Sequence, residues 1–273
     1  MYYDLRSGSY VKEKNNKSLK FLYNTILGRL LLRIVITKFV SNLYSRYMNS
    51  KFSKHKIKRF IKNNNINMNE YEKKDYNSFN DFFIRNIKVN LRKIEGGIIS
   101  PCDAKLTIYK VSANLKIKIK NSIYTVEELI KEKQNYKYAL VFRLGVCDYH
   151  HYIYMDDGNV ISNKVIDGVF HTVQPIALKK YKVFMENSRE VTFLKCKNLG
   201  NICYIEVGAL MVGKICNEKK EIFKKGEEKG HFEFGGSTII VLINRDVKFN
   251  KKIIENSKKE IETIVKMGQN IGW

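Results

Sequence analysis

The sequence has only two prolines in 273 residues, and this leaves little room for long proline-rich linkers or disordered tails. Its five cysteines, Cys102, Cys147, Cys196, Cys203 and Cys216, are odd in number and form no C-x-x-C pair. With no signal peptide in the sequence, they predict free thiols in a reducing cytosol, and their spacing argues against a cysteine-built metal site. Acidic residues are scarce at one end: none occurs between Lys14 and Asn69. Residues 1–62 hold 15 Lys/Arg against Asp4 and Glu13, and the whole chain has a formal charge of +23. Such a surface seeks a polyanion, either nucleic acid or an anionic membrane. Long hydrophobic runs are missing from the same region. Within 17–48 no apolar stretch exceeds Leu30-Leu31-Leu32 or Ile34-Val35-Ile36 in length. That is far short of the roughly 18–20 residues a spanning helix needs.

What this region does contain is apolar residues at helical spacing. Leu27, Leu30, Leu31, Ile34, Val35, Phe39 and Leu43 fall near one face, interrupted by Arg29, Arg33 and Lys38. The pattern predicts one or two basic amphipathic helices, either packed on their own domain or lying in a lipid headgroup layer. A second basic helix is expected at 51–63 and a short one near 78–88, with Ser78 and Asp81 spaced as an N-terminal cap. Residues 1–16 read as a polar lead-in.

From about residue 94 the pattern becomes short β-branched runs between Gly, Asn and Lys, with a helix expected at Thr125–Lys133. The fold class expected is α+β: an N-terminal basic helical, membrane-associating region (1–93), then a β-rich sandwich or barrel-like catalytic domain (94–273). The tail 251–270 is helix-compatible. Just before the run Thr238-Ile-Ile-Val-Leu-Ile243 stands Gly235-Gly236-Ser237. Alone, such a sequence is most often a turn. Yet glycine leaves no Cβ to block approach to the Gly236 carbonyl, and a serine held there can attack its own preceding peptide bond.

Seven collinear segments give that serine a context. They are Ser78–Arg85, Ile99–Leu106, Phe142–Tyr152, Gly168–Pro175, Glu186–Glu190, Val207–Gly213 and Phe223–Thr238. In this order and register the chain resembles the phosphatidylserine decarboxylases, pyruvoyl-dependent membrane enzymes that make phosphatidylethanolamine. The resemblance implies a zymogen that cuts itself between Gly236 and Ser237 into a β chain (1–236) and an α chain (237–273), which stay together, with a dimer of such heterodimers as a further assembly. The Ser237 hydroxyl attacks the Gly236 carbonyl, elimination leaves dehydroalanine, and hydrolysis leaves a pyruvoyl group. The pyruvoyl then forms a Schiff base with the phosphatidylserine amine and withdraws electrons as CO₂ leaves. No metal or nucleotide is implied.

The family's relay Asp maps onto Asp103 of Ser-Pro-Cys-Asp-Ala, and its relay His onto Asp148-Tyr-His-His-Tyr. The resemblance implies that Asp103 fixes the tautomer of that histidine, as in hydrolase triads. Many relatives carry a second histidine three residues beyond the first, where this chain has Ile153 or Tyr154. His150 is therefore assigned as the relay base, with His151 and His171 as alternatives. Otherwise His151 and His231 read as surface or hydrogen-bonded side chains. The location implied is the cytoplasmic face of the cell membrane, peripherally bound, with no nucleic acid as partner. The alternatives are a pyruvoyl decarboxylase of a soluble amino acid and a non-enzymatic basic protein that binds membrane or nucleic acid.

Overall fold

The computed structural model describes residues 1–12, 16–119, 122–210, 214–235 and 237–273. Its centre is a ten-stranded sheet. In spatial order the strands are Ile222–Phe223, Gly158–Ile166, Arg189–Cys196, Gly200–Val207, Ser237–Ile243, Tyr138–Leu144, Ala104–Lys110, Glu262–Val265, Tyr2–Asp4 and Ser9–Val11. All neighbours run antiparallel except Tyr2–Asp4 beside Glu262–Val265. The sheet is layered on both faces and does not close into a barrel among the described residues. The expected α+β class holds, in its sandwich form.

Alternation along each strand fills two cores. Ile239, Val241, Ile243, Leu140, Phe142 and Leu144 face one side, and a three-stranded sheet (Ile215–Asn217, Glu228–Phe232, His151–Ile153) and the helix Lys251–Lys258 cover them. Ile240, Leu242, Ala139, Val141, Ile205 and Val207 face the other, under the hairpin Lys116–Ile119/Ser122–Thr125 and the helix Val126–Ile130. Every residue of Ser237–Ile243 is buried, because this strand lies mid-sheet with a layer on each face.

The N-terminal region forms three helices, Lys17–Asn24, Ile26–Val35 and Lys38–Asn49, followed by a 3-10 turn and the helix Lys56–Asn64. Asn16, Thr25 and Thr37 cap the first three through side-chain oxygens. Thr125 caps the helix Val126–Ile130 in a full capping box with Glu128. The helix Phe79–Phe83 starts where Ser78 accepts from Asp81 N at 3.0 Å.

Two readings change. The lead-in is not simply polar coil, since Tyr2–Asp4 and Ser9–Val11 extend the large sheet. The tail is helical only over Lys251–Lys258. It then turns at Glu260, which adopts a φ of 56°, and re-enters the sheet as Glu262–Val265. Thr263 lies opposite Leu106 and Val265 opposite Ala104, so burial of alternate residues overrides the local helix preference.

Candidate active site

Ser237 is the first residue of its strand and lies opposite Leu144. The strand Tyr138–Leu144 leaves that pair and reaches His150 six residues later. The His150 carbonyl accepts a 3.0 Å bond from Phe232 N, five residues before Ser237. Two short backbone segments thus form a closed circuit, pinned at Leu144/Ser237 and at His150/Phe232. Gly235 lies within it at φ 143°, a conformation that favours glycine. Gly236, the other half of the expected scissile bond, lies outside the described residues, as do residues 211–213 of the segment Val207–Gly213.

Both Ser237 and His150 are fully buried. Among the described residues the Ser237 Oγ has no hydrogen-bond partner, and neither has the His150 Nε2. Orphaned buried polar atoms are costly; others occur among the described residues, Thr238 Oγ1 included, but these two belong to one circuit. The His150 Nδ1 bonds to the Asp148 carbonyl at 2.8 Å, so it carries the proton and leaves a lone pair on Nε2. Burial pushes this imidazole down to about 4, outweighing the opposing effect of the Asp148 carbonyl, so the ring is neutral at neutral pH.

An apolar cradle holds His150. The Phe83 ring centroid lies 4.3 Å from that of His150 and 5.1 Å from that of Phe234. Phe79 stands 4.9 Å from Phe234, nearly perpendicular to it. The Asn80 side-chain oxygen accepts from Phe234 N at 2.9 Å, while its amide donates to Asn49 at 3.1 Å. This chain of contacts links the end of the helix Lys38–Asn49 to the backbone just before Ser237. The aromatic spacing of residues 79–83 signals the cradle in the sequence, but the role of Asn80 has no local signal.

Asp103 is buried, but its contacts are not those of a triad. Arg92 binds it with Nε at 3.0 Å and Nη2 at 2.8 Å, Lys266 Nζ donates at 2.9 Å, and Met267 N donates at 2.9 Å. Burial pushes its carboxyl up, but Lys266 and Arg92 outweigh that and hold it below the usual range. The expectation that Asp103 fixes the tautomer of His150 is therefore corrected for this structure. The Asp148 carbonyl does so, because the Asp103 oxygens are taken by two cations and a backbone N–H. Asp148 itself is tied down by Gly145 N, which donates to its carboxylate at 2.7 Å.

The alternative histidines sit elsewhere. The His171 Nδ1 lies 3.2 Å from the Tyr23 hydroxyl, its Nε2 lies 3.5 Å from the Glu186 carboxylate, and its ring stacks on Tyr181. Burial pushes it down to about 4, but both its nitrogens are occupied. The His151 Nδ1 faces Glu228 at 2.8 Å and its Nε2 faces the Ile84 carbonyl at 3.1 Å. Of the three candidates only His150 presents a free ring nitrogen.

Two further features adjoin this centre. A cleft of about 570 Å³ lies between the helix Lys38–Asn49 and the sheet, lined by Lys38, Arg46, Lys214 and Glu233 among others. Beside it, the apolar faces of the N-terminal helices point outward: Ile26, Leu27, Leu30, Ile34, Phe39 and Leu43 are all more than half exposed. The helices anchor through Tyr23 and Leu32, which are buried. No helix among the described residues is long and apolar enough to cross a membrane.

The family described as phosphatidylserine decarboxylase matches residues 79–273. Phosphatidylserine decarboxylase proenzyme 2 of Clostridium acetobutylicum is 50% identical over 98% of this chain and 96% of its own length. The phosphatidylserine decarboxylase proenzyme of Fusobacterium nucleatum is 39% identical over 99% of this chain and 96% of its own. That of Clostridium tetani is also 39% identical, over 99% and 97%. Matched along nearly its whole length, the chain belongs to the phosphatidylserine decarboxylase family, a family of carboxy-lyases.

Proposed function

We propose that this chain is the proenzyme of a phosphatidylserine decarboxylase, and that it cuts its own backbone between Gly236 and Ser237 to make a pyruvoyl group. The observation that carries this reading is the pair of buried, unpartnered atoms, Ser237 Oγ and His150 Nε2. His150 takes the Ser237 hydroxyl proton on Nε2 as the oxygen adds to the Gly236 carbonyl. The Ser237 nitrogen leaves with a proton, converting the amide to an ester. Loss of the Ser237 Hα expels the 1–236 carboxylate and leaves dehydroalanine. Water then replaces its nitrogen, which departs as ammonia, and the pyruvoyl stands at the start of 237–273. The Phe83/Phe234 cradle excludes water from His150 during the first steps, and the Asp148 carbonyl keeps its proton on Nδ1.

The residues fit the group they would carry, because Ser237 starts a strand bonded on both sides. The cut fragment would be retained by Gly200–Val207 and Tyr138–Leu144 at Ser237–Ile243, and by Ala104–Lys110 at Glu262–Val265. When present, the pyruvoyl supplies an electron sink for decarboxylation of the substrate's amino acid headgroup. Arg46 and Lys214, beside Glu190 and Glu233, offer the cleft cations for a phosphate and a carboxylate, with Lys38 paired to Asp167 at its edge. Asp103 acts as a positioning residue that gathers Arg92, the Lys266 side chain and the Met267 backbone N–H.

The 1–93 region is read as the membrane-associating part and 94–273 as the catalytic part. The exposed stripe from Ile26 to Leu43, flanked by Arg29 and Arg33, fits an anionic membrane surface on the cytoplasmic face. It favours a lipid substrate over a soluble amino acid. Intact-mass measurement on purified protein tests the cleavage. Two chains are expected, the smaller starting with pyruvoyl in place of Ser237, and Ser237→Ala should give one uncut chain. A wild-type chain that stays whole on incubation refutes the self-cleavage reading. His150→Ala should slow cleavage by roughly 10²–10⁴-fold, while His171→Ala should leave it within a few fold.

A further inference from the structure

Outside this centre, His151, Glu228 and His231 bring three donor atoms within 4.8 Å of one another. Sheet register builds the group. His231 lies opposite His151, and Cys216 lies opposite His231, so three neighbouring strands present one row. Glu228 is three residues before His231 and in a regular strand would face the other way. A bulge between Glu228 and Gly230 turns it onto the histidine face, while Lys229 turns inward to the buried Glu206 at 2.5 Å.

The protons do not balance without an additional occupant. The His151 Nε2 donates to the Ile84 carbonyl at 3.1 Å, so in the neutral ring Nδ1 is a lone pair. That lone pair faces the Glu228 Oε1 at 2.8 Å, and the His231 Nδ1 lies 3.8 Å from the same oxygen. Two acceptors at 2.8 Å need a cation between them. It is either a proton on His151 or a metal ion bound by all three groups. Donor atoms around a tetrahedral zinc ion stand about 3.4 Å apart, and the two observed spacings straddle that value. A metal-bound imidazole typically donates its other N–H to a backbone carbonyl, as His151 does to Ile84. His231 and Glu228 are partly exposed, which leaves a way in from solvent.

We propose that His151 Nδ1, Glu228 and His231 Nδ1 bind a divalent transition ion such as zinc, with a water as fourth ligand. Such an ion would tie the strand that begins after His150 to the strand that leads to Ser237, holding the closed circuit in register. The binding does not depend on the cleavage reading, since all three ligands lie before residue 236. The competing occupant is a proton: the neighbouring Cys216 and Glu228 push the His231 imidazole up to about 9, and zinc must displace what they hold.

The test uses full-length protein without a histidine tag, stripped with chelator and titrated at neutral pH with zinc and with cobalt. One equivalent of zinc should be retained after dialysis, cobalt should give a visible tetrahedral absorption band, and zinc should raise the Tm. Glu228→Gln and His231→Gln should each weaken zinc binding at least roughly tenfold with the circular dichroism spectrum unchanged. A folded wild-type protein that retains no zinc, gives no cobalt band and shows no zinc-dependent rise in Tm overturns the proposal and assigns the cluster to a proton. Zinc retention that both variants preserve overturns the ligand assignment.

Discussion

The strand Ser237–Ile243 and the helix Ile26–Val35 are both rich in Ile, Leu and Val, yet they meet opposite environments. Every residue of the strand is buried, whereas the helix leaves Ile26, Leu27, Leu30 and Ile34 in the open and buries Gly28 and Leu32. Hydrophobicity alone does not decide which. The strand has partners on both edges and layers on both faces, so its apolar side chains are spent on the fold. The helix is held at few points, and the rest of its apolar surface is left for something outside the chain. On the proposed reading the interior of this protein would carry the chemistry, and its N-terminal region an address.

The largest expected effect that sharpens this contrast falls on the interior side. Asp103→Asn removes the charge that balances Arg92 and Lys266, and should destabilise the protein by about 3–5 kcal/mol in urea unfolding at pH 7. Because the folded state holds the Asp103 carboxyl below its unfolded value of about 3.9, its contribution is complete above that pH. It is lost as pH falls through the folded value. The gap between wild type and Asp103→Asn should accordingly narrow in acid, and an unchanged gap at pH 3 would break the argument.

A paired substitution tests the comparison directly. Ile240→Ala, in the middle of the sheet, should cost about 2–5 kcal/mol, and Leu30→Ala within about 0.5 kcal/mol. Vesicle flotation should reverse the order, with Leu30→Ala weakening binding and Ile240→Ala leaving it unaltered at temperatures where the protein is folded. Equal losses of stability would mean that the helix packs on its own domain after all. The smallest effect is electrostatic. Exchanging Arg29 and Arg33 for Gln should reduce binding to anionic vesicles by about 1 kcal/mol per charge, and flatten its dependence on salt.

Legibility in the sequence followed the range of the interactions. The Ser78 cap, the capping-boxed helix at Val126–Ile130 and the strand at Ser237–Ile243 were readable because a few adjacent residues determine each. The edge strands Tyr2–Asp4 and Ser9–Val11 are three residues long and owe their form to Glu262–Val265 at the far end of the chain. In the candidate site, Ser237, His150 and Asp103 all carried local motifs. What the motifs could not say is that Lys266, 163 residues away, occupies Asp103, or that a carbonyl two residues upstream orients His150. His151, Glu228 and His231 show no chelating spacing in the sequence, and only strand register and the bulge after Glu228 align them.

The mid-sheet position of Ser237 gives the folded state a history. The uncut chain folds as one molecule, with 237–273 tethered to the strands it must reach. Were the bond before Ser237 broken, the same architecture would have to be rebuilt from two molecules, at a rate that depends on their concentration. Unfolding of the cut form would then be irreversible in practice at low concentration, and its persistence would be governed by the rate of unfolding and not by an equilibrium. The mature form would inherit an arrangement that its two pieces recover poorly once they have separated.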